Sequence, residues 1–264
     1  MKSTRDQIED IKRDGYSIDF AVIFGYAFEN YKKIALYSAF VIAVFTFIVF
    51  CAVMGLATAF YGLQAILSDF TNVLDFQKLN YGQQILSTIF VSVFAALFSP
   101  LGAGFLEIAD RADKGEKFDF GSVFAYYKQP YFLQLFSAAL ILALVSNGIS
   151  TIIDNLGIAY VGIGVSIVIS YFTFFTIPLI IFGNLPAIEA IKSSLIVVSK
   201  SPFTIFALFV VGFLCSLTGV IGCCIGIIFT IVFNTSITYS TYYAIFEEQQ
   251  QPDSIDFIGK SDFE

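Results

Sequence analysis

The sequence predicts an all-α integral membrane protein of about six transmembrane helices, on three observations. Of its 264 residues, 57% are hydrophobic and only 13% charged, and the mean hydropathy is +0.81. That is more apolar surface than a soluble domain of this length can bury. Four apolar stretches, 34–61, 85–108, 131–153 and 158–182, are each long enough to cross about 30 Å of hydrocarbon. A further stretch, 203–246, is too long for one crossing and divides at Thr218, Gly219 and Gly222 into spans at 203–218 and 222–246. The chain thus reads as a cytoplasmic segment 1–17, a membrane domain 18–246 and an acidic cytoplasmic tail 247–264.

Every Lys and Arg except Lys78 falls in alternate inter-span segments, and basic residues resist translocation. Both termini and the loops 111–128 and 192–200 are therefore expected on the cytoplasmic face of a cell membrane. The segment 62–84 then lies outside, where Leu63, Ile66, Leu67, Phe70 and Leu74 recur at helical spacing and predict a short surface helix. The first 33 residues are mostly polar and the first apolar stretch is much longer than a cleavable signal core, so the first span is expected to stay.

A pattern repeats on the cytoplasmic side. A shift of 100 residues places Gly15, Asp19, Phe20, Phe24 and Tyr26 over Gly115, Asp119, Phe120, Phe124 and Tyr126. Phe20, Ile23, Phe24 and Ala27 share one helical face, as do Phe120, Val123, Phe124 and Tyr127. A weaker third copy opens at Pro186 and carries Ile188, Ile191, Leu195 and Val198 along one stripe. Acids begin the copies at Asp19, Asp119 and Glu189, and Lys32, Lys33, Lys128 and Lys200 end them, as helix dipoles favour. Those lysines are placed to contact lipid headgroups. The expected architecture is three hairpins, each preceded by a cytoplasmic interfacial amphipathic helix.

Histidine is absent, which excludes His-ligated metals, His-dependent nucleophiles and His proton relays. Cys51, Cys215, Cys223 and Cys224 lie in apolar runs and read as small buried hydrophobes; the adjacent pair lacks metal-knuckle or redox spacing. No cofactor or metal is expected. Glu107 and Arg111 stand four residues apart at the end of the second span and predict an interfacial ion pair. Asn147 in the third span and Asn234, Thr235 and Thr238 in the sixth are the candidate lining of a polar cavity, or else hydrogen bonds between helices. Pro100 with Gly102 and Gly104 predicts a bend in the second span, and Pro178 one in the fourth. Gly222 and Gly226 form a GxxxG pair suited to close packing or to an oligomer contact.

The runs I-D-F-A-V-I-F-G-Y-A-F-E-N-Y-K-K (18–33), G-E-K-F-D-F-G-S-V-F (115–124), E-A-I-K-S-S-L-I-V-V-S-K (189–200) and G-V-I-G-C-C-I-G-I-I-F-T (219–230) resemble uncharacterised bacterial six-helix membrane families. These are similar to the membrane domain fused to some glycerophosphodiester phosphodiesterases. The resemblance implies a fold; the phosphodiesterase chemistry belongs to a separate catalytic domain and is not implied.

Three function classes follow. The first is a non-catalytic membrane module that binds lipid or organises a partner. The alternative is a small-solute transporter or channel, and the third, a membrane enzyme, would require carboxylates gathered in one pocket, whereas here they are scattered. Membrane lipids are the expected partners, with a second copy or another protein also open and no nucleic acid expected. In a cysteine-free variant, a single cysteine at position 72 is expected to react with an impermeant maleimide in intact cells, and cysteines at 116 and 255 only after permeabilisation. External labelling at 116 would invert the topology.

Overall fold

In lipid, backbone N–H and C=O groups find no water, so apolar runs of this length fold as helices whose hydrogen bonds close internally. A computed structural model describes residues 2–61, 80–158, 160–221 and 223–246. In chain order the helices are α1 (Thr4–Asp14), α2 (Phe20–Tyr61), α3 (Tyr81–Asp113), α4 (Phe120–Val123), a 3-10 turn (Ala125–Tyr127), α5 (Tyr131–Asn155), α6 (Val161–Phe172), α7 (Thr176–Ile181), α8 (Ala187–Lys200), α9 (Pro202–Ile221) and α10 (Cys223–Phe246). No strand occurs among the described residues. Most of the 62–84 segment with its expected surface helix, Gly222 and the 247–264 tail lie outside them.

Among the described residues, Phe20–Gly55, Tyr81–Asp113, Tyr131–Ile153 and Val161–Ile181 are long and apolar enough to cross a membrane. Ala187–Lys200 with Pro202–Cys215 makes a fifth if that pair, bent by 106°, counts as one span. Large apolar side chains such as Leu36, Phe47, Leu86, Phe90 and Phe203 face outward, an arrangement suited to lipid and costly in water.

The three expected interfacial helices differ from one another. The first is continuous with its span: α2 runs 42 residues without a break. Its polar stretch packs into the bundle because Asn30, buried there, donates to the Ala109 carbonyl at 2.8 Å and accepts from Ser236 at 3.1 Å. The second is only a helical turn and a 3-10 turn, and Pro130, which disfavours helix at Gln129, separates it from α5. The third, α8, is a separate 14-residue helix. Its expected stripe divides, with Val198 buried while Ile188 and Leu195 are exposed; Ala190, Ser194 and Val197 face the bundle instead. Small residues let helices approach closely where lipid supplies no hydrophobic drive.

The patterned Gly and Asp residues have matching local roles. Gly15 and Gly115 both take positive φ, at 73° and 70°, which glycine adopts without steric cost. Asp19 caps α2 by accepting from Ala21 and Val22 N–H, and Asp119 forms a capping box with Ser122 ahead of α4.

Two further features add to the expected plan. Segment 1–17 contains α1, whose Ile8 and Ile11 are buried. Arg5 grips Glu189 through two bonds of 2.7 and 2.8 Å, Gln7 donates to the Phe246 carbonyl at 2.8 Å and Tyr16 to that of Val197 at 2.9 Å. The bend expected at Pro178 in the fourth span takes the form of an interruption between α6 and α7. Pro178 lacks the N–H that would serve the Phe174 carbonyl, and the chain tightens there through Phe174 N–H to Tyr171 and Thr176 N–H to Thr173. Ser194 of α8 bridges the gap, donating to the Phe172 carbonyl at 2.8 Å and accepting from Phe175 N–H at 3.1 Å. Pro100, by contrast, lies within a continuous α3.

Gly226 meets the backbone of Gly219 so closely that a side chain at either position would collide with the other helix, so Gly226 serves packing within the chain. Ser194→Ala is expected to lower stability by about 1–3 kcal/mol, because it strands buried backbone groups on both sides of the break. Thermal unfolding in detergent checks this; an unchanged midpoint would show that Ser194 does not hold the break.

Candidate functional site

Two polar regions stand out, one at a helix end and one within the bundle. At the end of α3, Glu107, Asp110 and Asp113 recur every three residues and so project over adjoining faces. Glu107 accepts from Arg111 at 2.7 Å and from the Tyr126 hydroxyl at 2.7 Å. Asp110 accepts from Lys114 at 2.8 Å and from Tyr239 at 3.3 Å. Asp113 accepts from Tyr26 and, at 3.3 Å, from Tyr239, with Lys33 3.8 Å away. The expected Glu107–Arg111 pair is therefore one part of a network that ties α2, the 3-10 turn and α10 to α3. Burial first, and then the Glu107 carboxylate, raise the Tyr126 phenol far above its ordinary pKa, so it remains a donor.

The proposed headgroup lysines are not equivalent. Lys32 pairs with Glu29 at 2.6 Å and sits 5.4 Å from the centre of the Phe28 ring, and Lys33 leans toward Asp113. Lys128 and Lys200 are exposed.

The second region is a cavity of about 500 Å³, partly open to the outer surface through exposed Phe213 and Ile231, where α3, α5, the interrupted α6–α7, α9 and α10 meet. Ser99, Gly102 and Leu106 line it from α3, and Leu135, Ala138, Ala139 and Leu142 from α5. The interrupted span contributes Ser170, Thr173 and Thr176, and α9 contributes Phe209 and Phe213. Asn234, Thr235 and Thr238 come from α10, brought to one side by helical spacing. The lining residues include no acidic or basic side chain.

Asn147 lies elsewhere. Its side chain donates to buried Ser92 at 3.2 Å and its carbonyl accepts from Thr151 at 2.8 Å, so it joins α5 to α3. Sequence reasoning missed Thr173 and Thr176, which reach the cavity through the interruption that Ser194 holds. Thr176 is only 2% exposed, and its hydroxyl has no partner among the described residues. Gly102 is the opposite case: a Cβ added there would meet nothing within 4 Å.

Comparison of the chain with protein-family models, with curated proteins and with solved structures finds no match.

Tyr126→Phe removes a part-buried hydrogen bond to a carboxylate and is expected to cost about 1.5–3 kcal/mol. Tyr127→Phe removes an exposed bond to the Leu97 carbonyl and should cost less. Equal losses in denaturant titrations would show that the Glu107 contact contributes nothing special.

Proposed function

We propose that this chain is a non-catalytic, multi-pass membrane protein of six spans that holds uncharged lipid within its bundle. One observation carries this reading: the cavity combines apolar walls with hydroxyls and a carboxamide and lacks any ionisable lining group. A charge moved into such a site from water would go unpaired at high cost, whereas an apolar chain gains by entering. The 20-residue α9 and the 24-residue α10 serve as fifth and sixth spans, giving three hairpins. The Lys and Arg distribution supports cytoplasmic termini in a cell membrane. On that orientation the tyrosine–carboxylate network faces the cytoplasm, with Lys128 and Lys200 near lipid phosphates. Matching roles at Gly15 and Gly115, and at Asp19 and Asp119, favour an internal duplication, and the likeness to the membrane domain of glycerophosphodiester phosphodiesterases is retained as a proposal of ancestry.

Passage of a small neutral solute is the second reading, favoured by the interruption between α6 and α7, because broken helices line binding sites in many transporters. Ion coupling is not favoured, since Glu107 is engaged by Arg111 and Tyr126 and lies outside the lining.

Gly102→Phe fills the cavity from a lining position where an added Cβ meets nothing. Native mass spectrometry of protein extracted from membranes is expected to find bound lipid on the unaltered chain and at least about tenfold less on Gly102→Phe. Leu36→Phe, at a site 80% exposed on the outer surface, should retain it. Equal lipid on both variants would remove the cavity as the binding place.

A further inference from the structure

We propose that the occupant is a single-chain amphiphile whose uncharged head donates hydrogen bonds, as an alcohol or a glycerol monoester does. This rests on the lipid reading above. The lining mixes two kinds of group: Leu135, Ala138 and Leu142 of α5 are apolar, while Thr173, Asn234, Thr235 and Thr238 are polar. An apolar tail carrying a polar head matches both kinds. The volume of about 500 Å³ is that of one small-molecule ligand, which suits one chain rather than two.

The polar groups are biased toward acceptors. Thr235 donates its hydroxyl proton to the Ile231 carbonyl at 3.2 Å, Thr238 to that of Asn234 at 3.0 Å and Thr173 to that of Ile169 at 2.7 Å. With their protons committed, these oxygens retain lone pairs and accept. Asn234, exposed at the cavity, can donate and accept. A head bearing O–H groups complements this array; an ester lacking them leaves it unmet, and an anion meets mainly acceptors.

The test uses the full chain in nanodiscs with photoreactive diazirine chains of equal length ending in a glycerol monoester, a methyl ester or a sulfonate. The glycerol monoester is expected to crosslink to α5 and α10 at least about tenfold more than either other probe. Asn234→Leu and Thr238→Val, each checked by its melting transition, are expected to bring it down to the methyl ester's level, and Gly102→Phe to remove labelling by all three. Two independent polar-lining variants keep the test decisive if one fails to fold. Equal labelling by monoester and methyl ester, or stronger labelling by the sulfonate, overturns the donor-head proposal while the lipid reading stands. If no probe labels the cavity helices, both fall together.

Discussion

The carboxylates at the end of α3 are the contacts on which the bundle's geometry most depends. Glu107, Asp110 and Asp113 are largely withdrawn from solvent, with side chains 18%, 10% and 16% exposed, and charges so placed demand partners. Each finds a cation and a tyrosine. The cations come from α3 itself or just past its end, apart from Lys33 of α2, so the tyrosines bring in the rest of the chain: Tyr26 from α2, Tyr126 from the 3-10 turn and Tyr239 from α10. Asn30 and Ser236 extend the link between α2 and α10. With these helices fixed around α3 at one end, the faces of α3 and α10 that line the cavity hold a set separation.

A second constraint acts on the interrupted span. Stopping a helix in a medium without water leaves backbone groups that some protein group must serve. Ser194 serves two of them from α8, and α8 is fixed in turn by Gln134, which accepts from Ala187 N–H at 2.9 Å, and by Arg5 on Glu189. Thus α1, a polar helix far from the cavity in sequence, helps hold in register the break that brings Thr173 and Thr176 to the lining.

What could be read from the sequence followed the range of each interaction. Helical character and approximate span limits were legible because apolar length decides them locally. Asn234, Thr235 and Thr238 were legible as one group because residues spaced i, i+1 and i+4 on one helix stay together. Asn147 was not assignable, since its amide could serve a cavity or a neighbouring helix, and Ser92 of α3 decides. The repeat drew attention to Tyr26 and Tyr126, but not to their carboxylate partners, which lie 87 and 19 residues away. The long α2 was hidden because the charged run 29–33 looks like a boundary until Asn30 is seen inside the bundle. Helix α1 carries local signals, with Ser3 before it, Asp6 in its first turn, Lys12 and Arg13 in its last and Gly15 after it, but its low apolar content kept it from standing out beside the spans.

The uncharged lining has an electrical consequence. A membrane at 100 mV does roughly 2.3 kcal/mol of work on each elementary charge that crosses it. No side chain lining this cavity carries charge to be displaced, and a neutral occupant brings none. On the proposed reading, filling and emptying would therefore be electrically silent, indifferent to the cell's energisation and governed by how much occupant is dissolved in the surrounding bilayer.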